Sequence, residues 1–251
     1  MLVSARSFAE YRAMFALTER DLEQRILDCP AGAASFVAEA GRLGIDAVAV
    51  DRQYAEHREE LGVLVERETA FKRELLVKET AGYVWSWYAD ADDMIRRWTA
   101  NARAFGADIA ARPERYVAGS LPGLPFADDS FDLALCSHLL FSYGNRLGGE
   151  FQRAGLLELA RVARREVRVF PLVVYDTGAR YEGLGALRAD LAELGVPSRV
   201  ERVAYEFQPG ADEMLVLSTA GYRAPARSAP GAAGAARATD PVRWRHREAG
   251  A

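Results

Sequence analysis

Cysteine, histidine and lysine are all scarce in this chain of 251 residues. There are two cysteines, Cys29 and Cys136, and three histidines, and only Lys72 and Lys78 among the 32 basic residues are lysine. The cysteines fall at the ends of predicted strands, and no other residues stand at metal-ligand spacing around them. We therefore predict two buried free thiols and no metal site.

Long apolar runs and an excess of basic charge are also missing. No run approaches the roughly 18 residues of a membrane span, and the N-terminus lacks the apolar core of a secretory signal peptide. We therefore expect a cytoplasmic protein with no membrane partner. A net charge of −4 argues against a nucleic-acid partner. What is present, 50% hydrophobic and 27% charged residues, is ordinary for one globular domain.

The stretch from residue 25 to residue 51 predicts a strand, a tight loop, a helix and a second strand. A short apolar run ends at Asp28, and a turn of small residues follows it. Ser35 stands at the N-cap position of a helix that Gly44 closes. A second apolar run then ends at Asp51. The pattern is a βαβ unit with one acid at the tip of each strand.

The two strand-end acids indicate a ligand site, because open parallel sheets bind ligands outside the carboxyl ends of their strands. Asp51 follows Asp28 by 23 residues, a spacing that suits a ribose diol. Here the sequence resembles class I methyltransferases, which bind S-adenosylmethionine (SAM) on a Rossmann-like sheet. The resemblance implies that Asp28 is the first acid of their motif, Gly32 the middle glycine of the G-x-G-x-G turn and Asp51 the ribose-binding acid. Pro30 and Ala34 replace the other two glycines.

Pro30 therefore marks a departure from the family pattern within a candidate cofactor-binding turn. Proline has no backbone N–H and a fixed φ. The turn is thus expected to hold the methionine end of SAM differently from the family, or to hold another ligand.

Residues 7–24 place aromatic and apolar side chains near one face of a predicted helix. A leading helix covers the cofactor in many of the methyltransferases that the chain resembles. The resemblance therefore makes Tyr11 a candidate SAM contact. Packing in the core is the alternative role for this ring.

Residues 52–113 form an insertion that a minimal αβ unit does not need. Apolar residues recur at helical spacing in two parts of the insertion, the second starting after Asp90, a candidate N-cap. Between them lies the most aromatic window of the chain, residues 83–88. We predict a helical lid, because loops at this edge surround the site and aromatic faces attract cations such as a sulfonium. The alternative is that the rings anchor the insertion to the core.

The resemblance returns after the third predicted strand, residues 115–120. Residues 124–137 read as an LPF segment, a turn and an FDL strand, which are common in these methyltransferases. The family contacts adenine through the loop after the third strand, often with an acid after a glycine. Ser120 follows Gly119 here, so Ser120 and its neighbour Leu121 are the candidate adenine contacts, with a hydroxyl in place of the carboxylate.

Candidate catalytic residues follow the fourth and fifth strands. The family places residues that face the transferred methyl group after the fourth strand, which makes His138 and Tyr143 candidates. Histidine titrates near neutrality and can act as a general base, although a strand-end histidine can also be purely structural. Tyr175 and Asp176 follow the fifth strand at the same edge and are either site residues or ordinary turn residues.

The remaining pattern completes an α/β fold with a Rossmann-like, seven-stranded, mostly parallel sheet. Its predicted elements are a helix over 151–164, a fifth strand over 165–175 that bends or stops pairing at Pro171, a helix over 181–195, and a final antiparallel strand pair over 199–207 and 213–218. Such a last pair is typical of class I methyltransferases. We predict one methyltransferase-like domain over 1–222 and a disordered tail over 223–251, which is rich in Ala, Gly, Pro and Arg.

Three functions are compatible with these residues. The first is a SAM-dependent methyltransferase that acts on a small molecule beside His138 and Tyr143. The second is cyclisation of SAM itself to azetidine-2-carboxylate and methylthioadenosine, since azetidine-forming enzymes also resemble methyltransferases. The third is a non-catalytic SAM-binding or regulatory protein, which the lost glycines and Ser120 motivate. The sequence specifies neither the acceptor nor the oligomeric state.

Overall fold

The computed structural model describes residues 5–55, Leu61, Val63 and residues 82–225. Its seven strands are β1 (Ile26–Asp28), β2 (Ala47–Asp51), β3 (Tyr116–Ala118), β4 (Phe131–Ser137), β5 (Ala163–Phe170), β6 (Ser198–Arg202) and β7 (Glu213–Ser218). The described α-helices are α1 (Phe8–Met14), α2 (Glu19–Leu22), α3 (Phe36–Arg42), α4 (Ala91–Ala111), α5 (Gly144–Leu147), α6 (Gly149–Val162) and α7 (Leu184–Glu193). Short 3₁₀ turns cover Arg52–Ala55 and Pro113–Arg115.

All seven strands form one sheet in the order β3-β2-β1-β4-β5-β7-β6. Neighbours from β3 to β5 pair in parallel, and β7 runs antiparallel to both β5 and β6. The structure therefore confirms the predicted fold: a Rossmann-like, mostly parallel sheet whose last pair is antiparallel, as the resemblance to class I methyltransferases implied.

Successive side chains along each strand point to opposite faces of the sheet, so the core consists of two apolar layers, one on each face. In β1, Ile26 packs on the face covered by α1, α3 and α4, and Leu27 packs on the face covered by α6 and α7. The same division separates Leu133 from Ala134 in β4. Both faces are covered, which explains why these strands read as continuous apolar runs.

Several predicted boundaries are wrong. The helix predicted within residues 7–24 is two helices, because Ala16 between them has a φ of 47°, which is not a helical conformation. Ser35 stands at the N-cap position of α3, yet its hydroxyl does not cap the helix and instead bonds Glu39 Oε1 at 2.5 Å. The fifth strand ends at Phe170, before Pro171, so only the prediction that pairing stops at the proline is confirmed.

The insertion contains a regular crossover helix in its second part. Asp90 caps α4 by accepting a hydrogen bond from Asp93 N at 2.7 Å, as predicted. Helix α4 packs on α3 and buries Trp98 and Phe105 in the core. The first predicted helix of the insertion, with Leu64 to Leu76, lies outside the described residues except at Leu61 and Val63, as does most of the predicted tail. No helix in the described part of the chain is both long and apolar enough to span a bilayer.

Candidate functional site

The candidate residues gather at the carboxyl edge of the parallel strands. Five strand ends bring them there: β1 ends at Asp28, β2 at Asp51, β3 just before Ser120, β4 just before His138, and β5 before Tyr175 and Asp176. Because these strands are parallel, their carboxyl ends share one edge of the sheet.

The turn after β1 is tied directly to the acid that ends β2. Gly32 N donates a hydrogen bond to Asp51 Oδ2 at 3.0 Å, and Gln53 N donates to Asp51 Oδ1 at 2.9 Å. Tyr54 Oη donates to the Gly32 carbonyl at 2.7 Å. Gly32 has a φ of 55°, a conformation that strains residues with a side chain, so glycine is needed at this position.

Pro30 has no backbone N–H to donate, and the hydrogen bonds of this turn to the sheet come from its two neighbours. The amides on either side are engaged by the sheet: Cys29 N donates to Leu135 O at 2.9 Å, and Ala31 N donates to Val50 O at 3.1 Å. The turn is therefore fixed between β4 and β2. Cys29 and Cys136 are buried free thiols, as predicted, and burial raises the pKa of each.

Asp28, which ends β1, is buried, at 1% exposure. Tyr11 Oη donates to its Oδ1 at 3.1 Å. Its Oδ2 atom has no hydrogen-bond partner among the described residues. Burial raises the pKa of Asp28 well above its usual value, the Tyr11 bond opposes that shift, and the charge of Asp51 adds to it. Asp28 thus offers a buried acceptor oxygen to a ligand that brings a donor or a positive charge.

Asp51 is equally buried, but both of its carboxylate oxygens accept a hydrogen bond from a backbone N–H group. Burial raises its pKa, while the two backbone N–H groups of Gln53 and Gly32 oppose the shift. A carboxylate has about four acceptor positions, so Asp51 can still accept bonds from a diol. The pair Asp28 and Asp51, with Gly32 between them, therefore fits a ligand that carries a cation at one end and a ribose at the other.

The two candidate adenine residues lie in different surroundings. Ser120 is exposed, and its carbonyl accepts a bond from Gly123 N at 3.0 Å. Leu121 is 7% exposed and belongs to the apolar layer beneath α6. Before them, Gly119 leaves no room for a side chain, because a Cβ there would lie 2.9 Å from both Pro125 Cδ and Val50 Cγ2. Their contact with adenine stays a prediction.

His138 directly follows β4 in an unusual backbone conformation, with a φ of 49°. Its N–H donates to Phe170 O at 2.7 Å, and its Nδ1 lies 2.7 Å from Ser137 Oγ. Burial, and then the charge of Arg6, hold the pKa of His138 well below its usual value. The ring is therefore neutral at pH 7, and both effects disfavour its protonated form.

Tyr143, Tyr175 and Asp176 form a second group, at the surface of the same edge. Arg146 Nη2 donates to both Asp176 oxygens, at 2.9 and 2.7 Å, and Arg146 Cζ lies 5.8 Å from the centre of the Tyr143 ring. Tyr175 N donates to Ser142 O at 2.9 Å, and the Tyr175 side chain is 44% exposed. This ion pair holds the loop after β5 against α5.

A buried cation beside His138 was missed in the sequence. Arg6 is 5% exposed and bonds Glu10 Oε1 at 2.9 Å, Tyr88 Oη at 3.2 Å and the Tyr205 hydroxyl. Its guanidinium carbon lies 4.7 Å from the centre of the Trp98 ring. We call these five residues the Arg6 cluster. The cluster joins α1, the aromatic window, α4 and the segment after β6, and no local motif announces such a long-range assembly.

The aromatic window packs on the segment that follows β6. Tyr83 stacks on Phe207 at 4.7 Å between ring centres, and Trp87 lies 5.1 Å from Tyr205. Val84 N also donates to Phe207 O at 2.8 Å. These contacts anchor the window, while its role as a lid stays a prediction. Within the described ranges, no three His, Cys, Asp or Glu side chains form a group that could hold a metal ion.

Comparison with known proteins identifies one curated relative. No protein-family model matches the chain. An uncharacterized protein of Methanocaldococcus jannaschii is 27% identical over 213 residues, which cover 84% of this chain and 93% of the relative.

Similar solved structures include SAM-dependent methyltransferases. Magnesium protoporphyrin IX methyltransferase from Synechocystis, with bound SAM, is 14% identical, with 78% of this chain and 69% of that chain covered and a TM-score of 0.41. The 1,6-didemethyltoxoflavin-N1-methyltransferase of Burkholderia thailandensis, with bound 1,6-didemethyltoxoflavin and S-adenosylhomocysteine, is 15% identical to this chain. The match covers 84% of this chain and 75% of that chain, with a TM-score of 0.42. A SAM-dependent methyltransferase from Methanosarcina mazei is 12% identical, with 78% of this chain and 92% of that chain covered and a TM-score of 0.44.

Proposed function

We propose that this chain is a SAM-dependent methyltransferase that acts on a small molecule in the cytoplasm. The observation that carries the proposal is the arrangement of Asp28, Gly32 and Asp51 at the carboxyl ends of β1 and β2. One acid is buried with a free acceptor oxygen, and the other is held by the turn amide at 3.0 Å. A ligand with an ammonium group and a ribose diol satisfies both acids at once.

Each part of SAM has a candidate partner in this arrangement. Asp51 accepts hydrogen bonds from the ribose diol, and Asp28 together with Tyr11 and the turn at Pro30 and Gly32 holds the methionine end. Ser120 and Leu121 flank the adenine. Because a neighbouring cation favours an ionised carboxylate, Asp28 gives up its proton when the positively charged ligand binds. SAM supplies an electrophilic methyl group on its sulfonium.

The rim residues then position the acceptor. His138 is neutral, so one of its ring nitrogens carries a lone pair that can accept a hydrogen bond from the attacking O–H or N–H group and orient it. Tyr143, Tyr175 and Asp176 shape the entrance on the far side, where Arg146 fixes Asp176 at 2.7 Å. The aromatic window, residues 83–88, covers the bound pair and excludes water. Catalysis rests mainly on orientation, because holding two reactants in line converts a bimolecular step into an effectively unimolecular one.

A second reaction is supported by Asp28 itself. Once binding of the cationic ligand has ionised Asp28, its unpartnered Oδ2 can take a proton from the amine of SAM. In cyclisation of SAM as a substrate, the amine nitrogen bonds to the γ-carbon, the bond from that carbon to sulfur breaks, and methylthioadenosine leaves. The proton lost by the amine passes to Asp28, and azetidine-2-carboxylate is the second product.

The deciding experiment incubates the purified full chain with SAM, first alone and then with a panel of small O–H and N–H acceptors, and identifies the products by mass spectrometry. Methyl transfer predicts S-adenosylhomocysteine that appears only with an acceptor. Cyclisation predicts methylthioadenosine with SAM alone. Intact SAM in every mixture, with no binding by calorimetry, contradicts both reactions. Intact SAM with tight binding supports a non-catalytic SAM-binding protein instead.

Asp51→Asn tests the site assignment in the same assay. We expect it to weaken SAM binding by about 1–3 kcal/mol, because it removes the charge from a buried hydrogen-bond acceptor. Asp46→Asn is the matched control, since Asp46 precedes β2 at its opposite end and its side chain is 66% exposed. Equal affinities for the two variants would contradict the ribose assignment.

A further inference from the structure

A cavity of about 440 Å³ lies at the edge of the sheet opposite the candidate site. Its lining residues come from α2 and the segment after it, from the first halves of β4 and β5, and from the end of β7, where Glu166 pairs with Ser218. We call it the amino-edge cavity. Its volume is within the range of about 300–1,000 Å³ that is typical of small-molecule sites. The residues that line it are all distinct from the candidate SAM residues.

Arg168 forms a buried part of the wall of the amino-edge cavity. It lies in β5, is 9% exposed, and donates to Asp21 Oδ1 at 3.0 Å and to Glu166 Oε2 at 2.9 Å. Glu166 has a second cationic partner, because Arg199 Nη2 donates to its Oε1 at 3.0 Å. The two acids that line the cavity, Asp21 and Glu166, are thus matched by two arginines and contribute no net negative charge.

Two further arginines line the cavity, Arg20 in α2 and Arg165 in β5. Both residues are exposed, and neither has an ion-pair partner among the residues that the structure describes. Together with Arg168 and Arg199 they make four cations for two acids, so the cavity has an excess of two positive charges. Ser218 adds a hydroxyl group, and Leu133 and Ala220 are the apolar residues of the lining.

We propose that the amino-edge cavity is a second ligand site, which binds a small phosphate monoester. Such a ligand carries about two negative charges at pH 8, above its second pKa of about 6, and these charges balance Arg20 and Arg165. The planar fork of an arginine matches the geometry of phosphate oxygens. The Ser218 hydroxyl is a further donor to the phosphate. The organic part of the ligand lies against Leu133 and Ala220.

The charge balance also discriminates between anions. A monocarboxylate carries a single negative charge and leaves one of the two excess positive charges unmatched. We therefore expect it to bind more weakly than a phosphate monoester of the same size. The proposal does not rest on SAM binding, because the amino-edge cavity and the pair Asp28 and Asp51 lie at opposite edges of the sheet.

The test is a calorimetric titration of the full chain at pH 8 with phenyl phosphate, whose ring and dianion represent the two parts of the ligand. Benzoate and phenol are the comparison probes. We expect saturable binding of phenyl phosphate at one site per chain, about tenfold tighter than that of benzoate, and no saturable binding of phenol. Absence of saturable binding of phenyl phosphate would overturn the proposal, as would an equal affinity for phenol.

Arg20→Gln and Arg165→Gln test whether the probe binds in this cavity. Each variant removes one charge-assisted contact, so each should weaken phenyl phosphate binding about tenfold. Arg96→Gln is the matched control, since it loses the same charge in α4, outside the cavity, from a side chain that is 68% exposed. It should keep the wild-type affinity. Equal affinities in all three variants would contradict the proposal.

A competition experiment separates this site from the proposed SAM site. Asp51→Asn should keep the affinity for phenyl phosphate, and an excess of SAM should not displace the probe from the wild type. Displacement by SAM would mean that the probe occupies the SAM site and would overturn the proposal. A chain that binds phenyl phosphate through Arg20 and Arg165 but does not bind SAM would contradict the proposed function and support the second site.

Discussion

Asp28 is a residue whose ionisation opposes folding. Its native pKa is raised well above the ordinary value of about 3.8, so the native state keeps a proton that the unfolded chain has already released. The free energy of unfolding therefore falls as the pH rises from about 3.8 toward the native pKa of Asp28, and is unaffected by this group below that window.

Asp28→Asn removes this dependence, because an amide does not titrate. We expect the wild type to lose stability relative to Asp28→Asn as the pH rises above about 4, measured by urea unfolding at several pH values. Asp46→Asn, at an exposed acid, should differ from the wild type by a nearly constant amount. A constant difference for Asp28→Asn as well would contradict the raised pKa.

Only some of the single residues at the site could be predicted from the sequence. Asp28 and Asp51 were accessible because each ends an apolar strand, a purely local pattern. Arg6 was not, because an arginine near a chain terminus is normally solvated, and only the fold shows that aromatic rings enclose it.

At the scale of the elements, the Arg6 cluster is a buried polar connection between α1, the aromatic window, α4 and the segment after β6. Although burial opposes it, the charge of Arg6 and the bonds from Tyr88 and Ser7 hold the pKa of Glu10 below its usual value. Glu10 is thus ionised, and Arg6 and Glu10 form a buried ion pair with an N–O distance of 2.9 Å. Loss of one partner leaves a buried charge without its counter-ion.

We expect Arg6→Met to cost about 3–5 kcal/mol in the free energy of unfolding, and the double variant Arg6→Met/Glu10→Gln to cost less than Arg6→Met alone. Glutamine keeps the capping bond to Ser7 that Glu10 makes in α1. The matched control is the exposed pair Arg12 and Glu19, where Arg12→Met should cost under about 1 kcal/mol. Equal losses for the Arg6 and Arg12 variants in urea unfolding would exclude a buried ion pair.

Element boundaries were predictable where local pattern and tertiary packing agree. The predicted bounds of β4 and β7 match the structure, since both strands are central, apolar and bounded by polar turns. Strand β6 ends at Arg202 instead of residue 207, because Tyr205 and Phe207 leave the sheet to pack on Arg6 and the aromatic window.

The boundary between α1 and α2 is visible in the sequence as two helix-capping motifs. Ser7 with Glu10, and Thr18 with Asp21, each form a capping box. Two such boxes eleven residues apart indicate two helix starts. The apolar spacing over residues 7–24 favours a single helix, whereas the two capping boxes divide the segment into two.

At the scale of the whole molecule, a ligand that binds only the native state must stabilise it. SAM at about 100 times its dissociation constant should add about 2.7 kcal/mol. For a chain of this size that corresponds to a rise in Tm of roughly 5–10 °C. The measurement is a thermal melt with and without SAM.

Asp51→Asn should lose most of this rise at the same SAM concentration, and Asp46→Asn should keep it. An equal shift in both variants would mean that SAM stabilises the protein from another place. No residue of the Arg6 cluster bonds to Asp51 or to the turn at Gly32 in the described contacts. Arg6→Met should therefore lower the Tm measured without SAM and still show a rise in Tm when SAM is added.

The Arg6 cluster also sets when the cap can form during synthesis. Arg6 is separated from Tyr205 by 199 positions, so its last partner is made almost at the end of the described chain. At about 5–20 residues per second, a ribosome needs roughly 10–40 s to cover that distance. Throughout that interval the cation at residue 6 is solvated and α1 lacks its final anchor. The Arg6 cluster can therefore be completed only after the ribosome has passed Tyr205.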